Sequence, residues 1–252
     1  MNEPFPMTQT RLRDRLPLPP RREPEFRWRG TEVSRVEGFT DAVFAFAVTL
    51  LVVALEVPHS FEGLMDVVRG FPAFVICFAL LMQFWNAHYK YHRRYGLDDG
   101  FTRFMTHAIL VLVLFFVYPL KFLFTNLTAM VFGLHMENSP HLDGLGQIRI
   151  VYLVYGLGFA GTRALYAGLY VHAWRKRAEL GLDEVETLHT RATLIEMLIY
   201  VFVCLLSVLL AYATTSDSLP GYIYFLLGPL QAANGWYHGR KVRVLMQART
   251  AA

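Results

Sequence analysis

Long apolar runs alternate with short polar connectors along almost the whole chain. The runs fall at roughly 35–57, 70–90, 103–125, 148–173, 192–213 and 220–237, and each approaches the ~20 residues a helix needs to cross ~30 Å of hydrocarbon. The sixth contains Pro229, Asn234 and several glycines, which membrane helices tolerate because neighbouring helices satisfy the freed backbone groups. The pattern predicts an all-α integral membrane protein with six transmembrane helices in one domain over residues 31–240. A flexible Pro/Arg-rich tail over 1–30 precedes it and a short tail over 241–252 follows. The connector at 126–147, with Gly, Asn, Pro and His and little periodicity, reads as a loop without chemistry.

The charges orient this array. Arg11, Arg13, Arg15, Arg21, Arg22, Arg27 and Arg29 lie before the first run, Lys90, Arg93, Arg94 and Arg103 between the second and third, Arg175, Lys176 and Arg177 after the fourth, and Arg240, Lys241, Arg243 and Arg249 at the end. The intervening connectors are poor in Lys and Arg, Arg69, Lys121 and Arg149 excepted. Positively charged connectors are retained in the cytoplasm, so six crossings with both termini cytoplasmic, in a cell membrane, explain the alternation. Composition agrees: 54% hydrophobic residues leave too little polar surface for a soluble globule. The net charge of +4 comes from separate clusters and not from a continuous basic face, so nucleic acid is not an expected partner. Cys77 and Cys204 both lie inside apolar runs, where they act as small hydrophobes.

Ionisable groups inside a bilayer are costly, so those within the runs carry the candidate chemistry. Asp41 stands about 9 Å along its helix from Arg35, at 1.5 Å per residue. Trp85, Asn86 and His88 near the end of the second run, and Thr106 and His107 near the start of the third, fall at about the same depth. An interhelical hydrogen-bond cluster that fixes packing is the simpler reading, and a proton or ion relay stands beside it because histidine titrates near neutrality. His88 and His92 have the i,i+4 spacing of metal ligands, but no Cys, Asp or Glu at a matching position completes a site. Arg163 and Glu196, in the fourth and fifth runs, are expected to form a buried ion pair. Ala42, Phe46, Thr49 and Val53 share one stripe of the first helix, with Thr49 free to bond back to a carbonyl one turn earlier.

At these residues the chain resembles the transmembrane-protein-175 potassium-channel family. Arg35-x-x-x-Phe39-Thr40-Asp41 resembles the family's Arg-x-x-x-Phe-Ser-Asp signature, Trp85 and His88 reproduce a Trp-x-x-His pattern, and Pro119 falls where the family often has proline. The resemblance covers about the first half of the chain. It implies a potassium-permeable, leak-type channel, a homotetramer in which the first helix lines the central pore. Carried over, Ala42, Phe46, Thr49 and Val53 line the pore, Phe46 forms the constriction and Thr49 a polar layer one turn further out. Arg35, Phe39, Thr40, Asp41, Trp85 and His88 form the network that holds the pore helices, and His107 adds a titratable member where the family often has Asn. Thr40 keeps the hydroxyl of the usual Ser. Phe46 replaces the usual Ile or Leu, and a ring of phenyl groups can narrow or gate a pore by dewetting.

The expected function is therefore a cation channel whose partners are K+, other copies of itself and lipid, with no cofactor. No Thr-Val-Gly-Tyr-Gly filter occurs, the Thr214–Leu219 connector is too short for a re-entrant pore loop, and regularly spaced gating arginines are missing. A proton-coupled transporter using Asp41, His88, His107 and the Arg163/Glu196 pair is the alternative, and a membrane metal enzyme on His88 and His92 a third reading. Broken helices in repeated halves, which favour many transporters, are lacking.

Overall fold

The computed structural model describes residues 26–53, 57–132 and 144–251. These residues are all-helical: α1 (Arg35–Val53), α2 (Phe61–Tyr95), α3 (Gly100–Phe132), α4 (Leu145–Arg175), α5 (Glu184–Ala213), a short α6 (Leu219–Tyr222), a 3-10 turn (Ile223–Leu226) and α7 (Leu227–Ala251). Five of them, α1 to α5, are long and apolar enough to cross a membrane among the described residues.

Several boundaries differ from the sequence reading. At 35 residues α2 is about 52 Å long, well beyond the hydrocarbon thickness. Its start is capped by Ser60, whose side chain accepts from Gly63 N–H at 3.0 Å, so the helix begins nine residues before the apolar run expected at 70. Residues 126–132, expected in a loop, continue α3, and 145–147 open α4; the rest of that connector, 133–143, lies outside the described residues. So do 54–56 at the end of the first expected span and 1–25 of the expected tail. The segment expected to cross sixth is helical but interrupted at Ile223–Leu226, and α7 runs on through the expected C-terminal tail because no proline or glycine follows Gly239 to stop it.

The helices pack in sequence across the bundle: α1 on α2 and α3, α3 on α4, α4 on α5, and α5 on α7. α4 sits centrally because its glycines remove bulk where neighbours press in. A Cβ on Gly158 would land in the Phe116 ring of α3, and one on Gly156 would strike Val208 of α5. The Tyr155 hydroxyl donates to the Pro119 carbonyl across the same α3–α4 contact.

The α2–α3 turn, the α4–α5 turn and the residues before α1 gather at one end, here the basic end. α2 stops at Gly96, whose φ of +60° gives the left-handed cap that lets its N–H reach His92 O at 2.8 Å. α5 starts in a reciprocal capping box between Asp183 and Glu186. Residues 26–30, assigned from composition to the flexible tail, are docked here instead. The Phe26 ring is buried against the edge of Tyr95. Arg29 and Gly30 N–H both donate to Arg93 O, and the Arg29 guanidinium pairs with Glu186 at 2.6 Å. A buried carboxylate that already accepts from the Arg27 N–H at 2.7 Å requires that cation.

Candidate functional site

α1 has two unlike faces. Glu37, Thr40, Phe44, Ala47 and Leu51 are buried against the bundle. Arg35, Phe39, Ala42, Phe46, Thr49 and Val53 are exposed, with Phe46 at 55% and Val53 at 66%. The two sets follow the 3.6-residue period, so the stripe of Ala42, Phe46, Thr49 and Val53 is left exposed by the described residues of the subunit. Thr49 donates its hydroxyl proton to Ala45 O at 3.0 Å, which leaves the oxygen lone pairs on the open face. Phe46, just under one turn earlier, presents its ring to the same side.

The start of α1 is held tightly. Ser34 and Glu37 cap it reciprocally: Glu37 N–H donates to the Ser34 hydroxyl at 3.2 Å, and Ser34 N–H donates to the Glu37 carboxylate at 2.7 Å. Arg93 of α2 lies 3.5 Å from Glu37 and donates to Gly30 O at 2.9 Å. One turn further along, the Trp85 indole N–H donates to Asp41 Oδ1 at 2.7 Å, joining α2 to α1. The Trp85 indole in turn stacks on Tyr89, with centroids 5.6 Å apart. Register on α1 is therefore set by two contacts with α2, one turn apart.

The expected polar network divides into separate parts. Asp41 and Trp85 form one. His88 forms another, buried, with Thr106 Oγ1 at 3.3 Å and His92 Nε2 at 3.0 Å. That facing of two Nε2 atoms is a hydrogen bond between one donor and one acceptor ring. No group of three His, Cys, Asp or Glu with metal-ligand placement occurs among the described residues. His107 joins neither part: it is exposed and meets Phe39 edge-on, with centroids 6.3 Å apart. Thr40 is fully buried, and its hydroxyl has no partner among the described residues. Arg35 is exposed and makes no hydrogen bond or ion pair among the described residues.

Arg163 and Glu196, expected to form a buried ion pair, do not come within the 4.0 Å of a direct pair, although Glu196 still acts electrostatically on the guanidinium. Arg163 is buried with its guanidinium 4.2 Å from the Tyr200 centroid and 5.0 Å from that of Phe84, and it donates to Gln83 Oε1. Aromatic faces and an amide oxygen contact the cation directly, and Glu196 acts on it only from beyond ion-pair distance. Glu196 is half-buried on the adjacent turn of α5, beside the buried Met197. Gln83, Tyr200, Glu37 and Arg93 are contributors that the sequence reading did not single out, although Ser34-x-x-Glu37 has the capping-box pattern.

At the basic end, Asp99 between α2 and α3 receives the Thr102 N–H at 2.9 Å, His172 Nε2 at 2.6 Å and Lys176 Nζ at 3.0 Å. Burial alone raises its carboxyl pKa, but these donors outweigh it and hold Asp99 well below the usual carboxylate range.

The family model described as endosomal/lysosomal potassium channel TMEM175 matches residues 35–119, which contain α1, all of α2 and the first part of α3. A potassium channel of Marivirga tractuosa is 33% identical over 236 residues, 89% of this chain and 95% of its own length. A potassium channel of Chamaesiphon minutus is 29% identical over 97 residues, covering 35% of this chain and 48% of its own length. The crystal structure of a variant of the potassium channel MtTMEM175, in complex with a nanobody–MBP fusion, superposes with a TM-score of 0.77 at 31% identity, over 86% of this chain and 98% of that one. Similarity over nearly the full length of a curated relative, a matching helical architecture and a family match that begins with the helix carrying the open stripe agree, and the chain belongs to the TMEM175 potassium-channel family.

Proposed function

We propose that this chain is one subunit of a leak-type potassium channel, a homotetramer in which α1 from each copy lines a central pore. The observation that carries the reading is the open stripe of α1, where Ala42, Phe46, Thr49 and Val53 are exposed while the opposite stripe packs on the bundle. A helix so placed at the edge of its subunit gains a partner when copies meet around an axis. Membership of a family of potassium channels supplies the ion.

In this arrangement Phe46 rings form an apolar constriction that a cation crosses only after shedding part of its hydration, and the Thr49 oxygens one turn further out accept it. Selectivity for potassium over sodium is modest and rests on this narrow ring and hydroxyl layer, with no carbonyl filter. The 3-10 turn and α7 form the sixth crossing, and the basic end faces the cytoplasm with both termini, a placement supported by the Lys and Arg residues gathered there. The Asp41–Trp85 bond and the Glu37–Arg93 pair hold α1 in register.

Purified protein in liposomes tests this reading. Potassium flux down an imposed gradient, unsaturated as potassium rises and independent of a proton gradient, is expected. A saturable flux that needs a proton gradient, or no flux above empty liposomes, contradicts it.

A further inference from the structure

The far side of the bundle from α1 carries a second feature. At the basic end, the α4–α5 turn, the start of α5 and the second half of α7 enclose an open groove of about 1030 Å³. Its rim bears Arg177, Arg191, Arg240 and Lys241, and Glu184 is the one acid among its described lining residues. Elsewhere at this end Arg29, Arg93, Arg103 and Lys176 each lie within 4.0 Å of a carboxylate. None of the four rim cations has such a partner among the described residues. Three of them lean on aromatic groups instead, Arg177 over Trp174 at 4.5 Å, Arg240 over Trp236 at 5.8 Å and Lys241 over Tyr237 at 4.3 Å. Both indoles are exposed.

The groove also continues along the helix. On α5, Glu184, Leu188 and Arg191 line it, and the same seven-residue register leads on to Leu198, Phe202, Leu205 and Leu209. Those four side chains are all exposed, between 46% and 63%. A cluster of unmatched cations ringed by Trp and Tyr thus opens onto an apolar stripe that leads toward the opposite end of the bundle. Each part has a counterpart in one molecule: a phosphate for the guanidinium groups, a headgroup at the aromatic belt, and acyl chains for the stripe.

We propose that this groove binds an anionic phospholipid, with the phosphate among Arg191, Arg240 and Lys241 and the acyl chains along Leu198, Phe202, Leu205 and Leu209. The site rests on the membrane-spanning, α1-centred reading for its placement, since assembly around α1 leaves α5 and α7 at the lipid-facing periphery.

Tryptophan quenching by brominated lipid tests it on the full-length protein in phosphatidylcholine vesicles containing a small fixed fraction of dibrominated phosphatidylglycerol or dibrominated phosphatidylcholine. The native protein is expected to be quenched roughly threefold more by the anionic lipid. That excess is expected to vanish in Trp174→Phe/Trp236→Phe, which retains Trp28 and Trp85, and in Arg191→Gln/Arg240→Gln/Lys241→Gln, which retains quenching by the neutral lipid as a sign of correct folding. Equal quenching of the native protein by both lipids overturns the proposal, as does an excess that survives in the triple variant. Quenching of Trp174 and Trp236 by neither lipid also overturns it, and marks the groove as covered by protein, a second copy included. Potassium flux in the same vesicles is a separate readout: lipid selectivity without flux removes the channel reading and leaves the lipid site standing.

Discussion

The indole N–H of Trp85 donates to the carboxylate of Asp41 at 2.7 Å, and this bond joins the helix with the open stripe to its neighbour in the bundle. Hydrogen bonds to charged groups contribute about 1.5–3 kcal/mol. Asp41 is solvent-exposed in the isolated subunit, which places the expected value at the low end. Trp85→Phe is expected to lower the unfolding midpoint of the purified protein by about 3–6 °C. Asp41→Asn, whose amide oxygen still accepts the indole proton, is expected to lose less. Equal losses in the two variants would argue that packing of the indole, and not the bond, holds the helices.

Gly158 is where α4 accepts the Phe116 ring of α3. Gly158→Ala adds a methyl group where a ring already sits, and overpacking of this kind costs about 1–3 kcal/mol. Phe116→Leu relieves the clash, so the double variant is expected to be more stable than Gly158→Ala alone. Thermal unfolding of the set measures the coupling; strictly additive effects would show that the two positions do not meet.

Asp99 links the α2–α3 turn to α4 through His172 and Lys176. Its pKa is depressed in the folded protein from an ordinary value of 3.8, so the carboxylate contributes stability that is complete above the unfolded value and declines as pH falls below about 5. Asp99→Asn is therefore expected to melt below the wild type by about 2–4 °C at pH 7, with the difference narrowing by pH 3. A difference that grows toward acid pH would reverse the assignment.

Phe46 is the bulkiest of the four exposed groups Ala42, Phe46, Thr49 and Val53 on α1. If its ring sets the barrier to ions, Phe46→Ala is expected to raise potassium flux in liposomes by about tenfold for each ~1.4 kcal/mol by which the barrier falls. Flux unchanged by the truncation would move the constriction elsewhere.

Much of the helical layout was legible because spanning helices need long unbroken apolar runs, and five such runs became helices long and apolar enough to cross. Helix ends were less legible. The first turns of α2 interleave Glu62, Asp66 and Arg69 with apolar residues, and the last turns of α7 carry Arg240, Lys241 and Arg243, so caps and the lack of breakers, and not an unbroken apolar run, set their limits. Composition hid the docking of Phe26 and Arg29, because one buried ring and one ion pair suffice to order a short segment otherwise rich in Pro and Arg. Depth in the bundle could be counted along each helix, but direction around it could not. Thr106 and His107 stand at nearly one level, yet successive side chains diverge by about 100°, so Thr106 meets His88 while His107 meets Phe39. The same limit separates Arg163 from Glu196: similar depths, with Gln83, Phe84 and Tyr200 lying in the direction the guanidinium takes.

The central claim is that the open stripe of α1 borders the ion path, and accessibility of single cysteines along α1 tests it most directly. In a background lacking Cys77 and Cys204, a water-soluble thiol reagent added during potassium flux is expected to block variants with cysteine at Ala42, Phe46, Thr49 and Val53. Variants at Phe44, Ala47 and Leu51, which face the bundle, are expected to be unaffected. Block that follows the buried stripe, or that shows no helical period along α1, would contradict a pore lined by this helix.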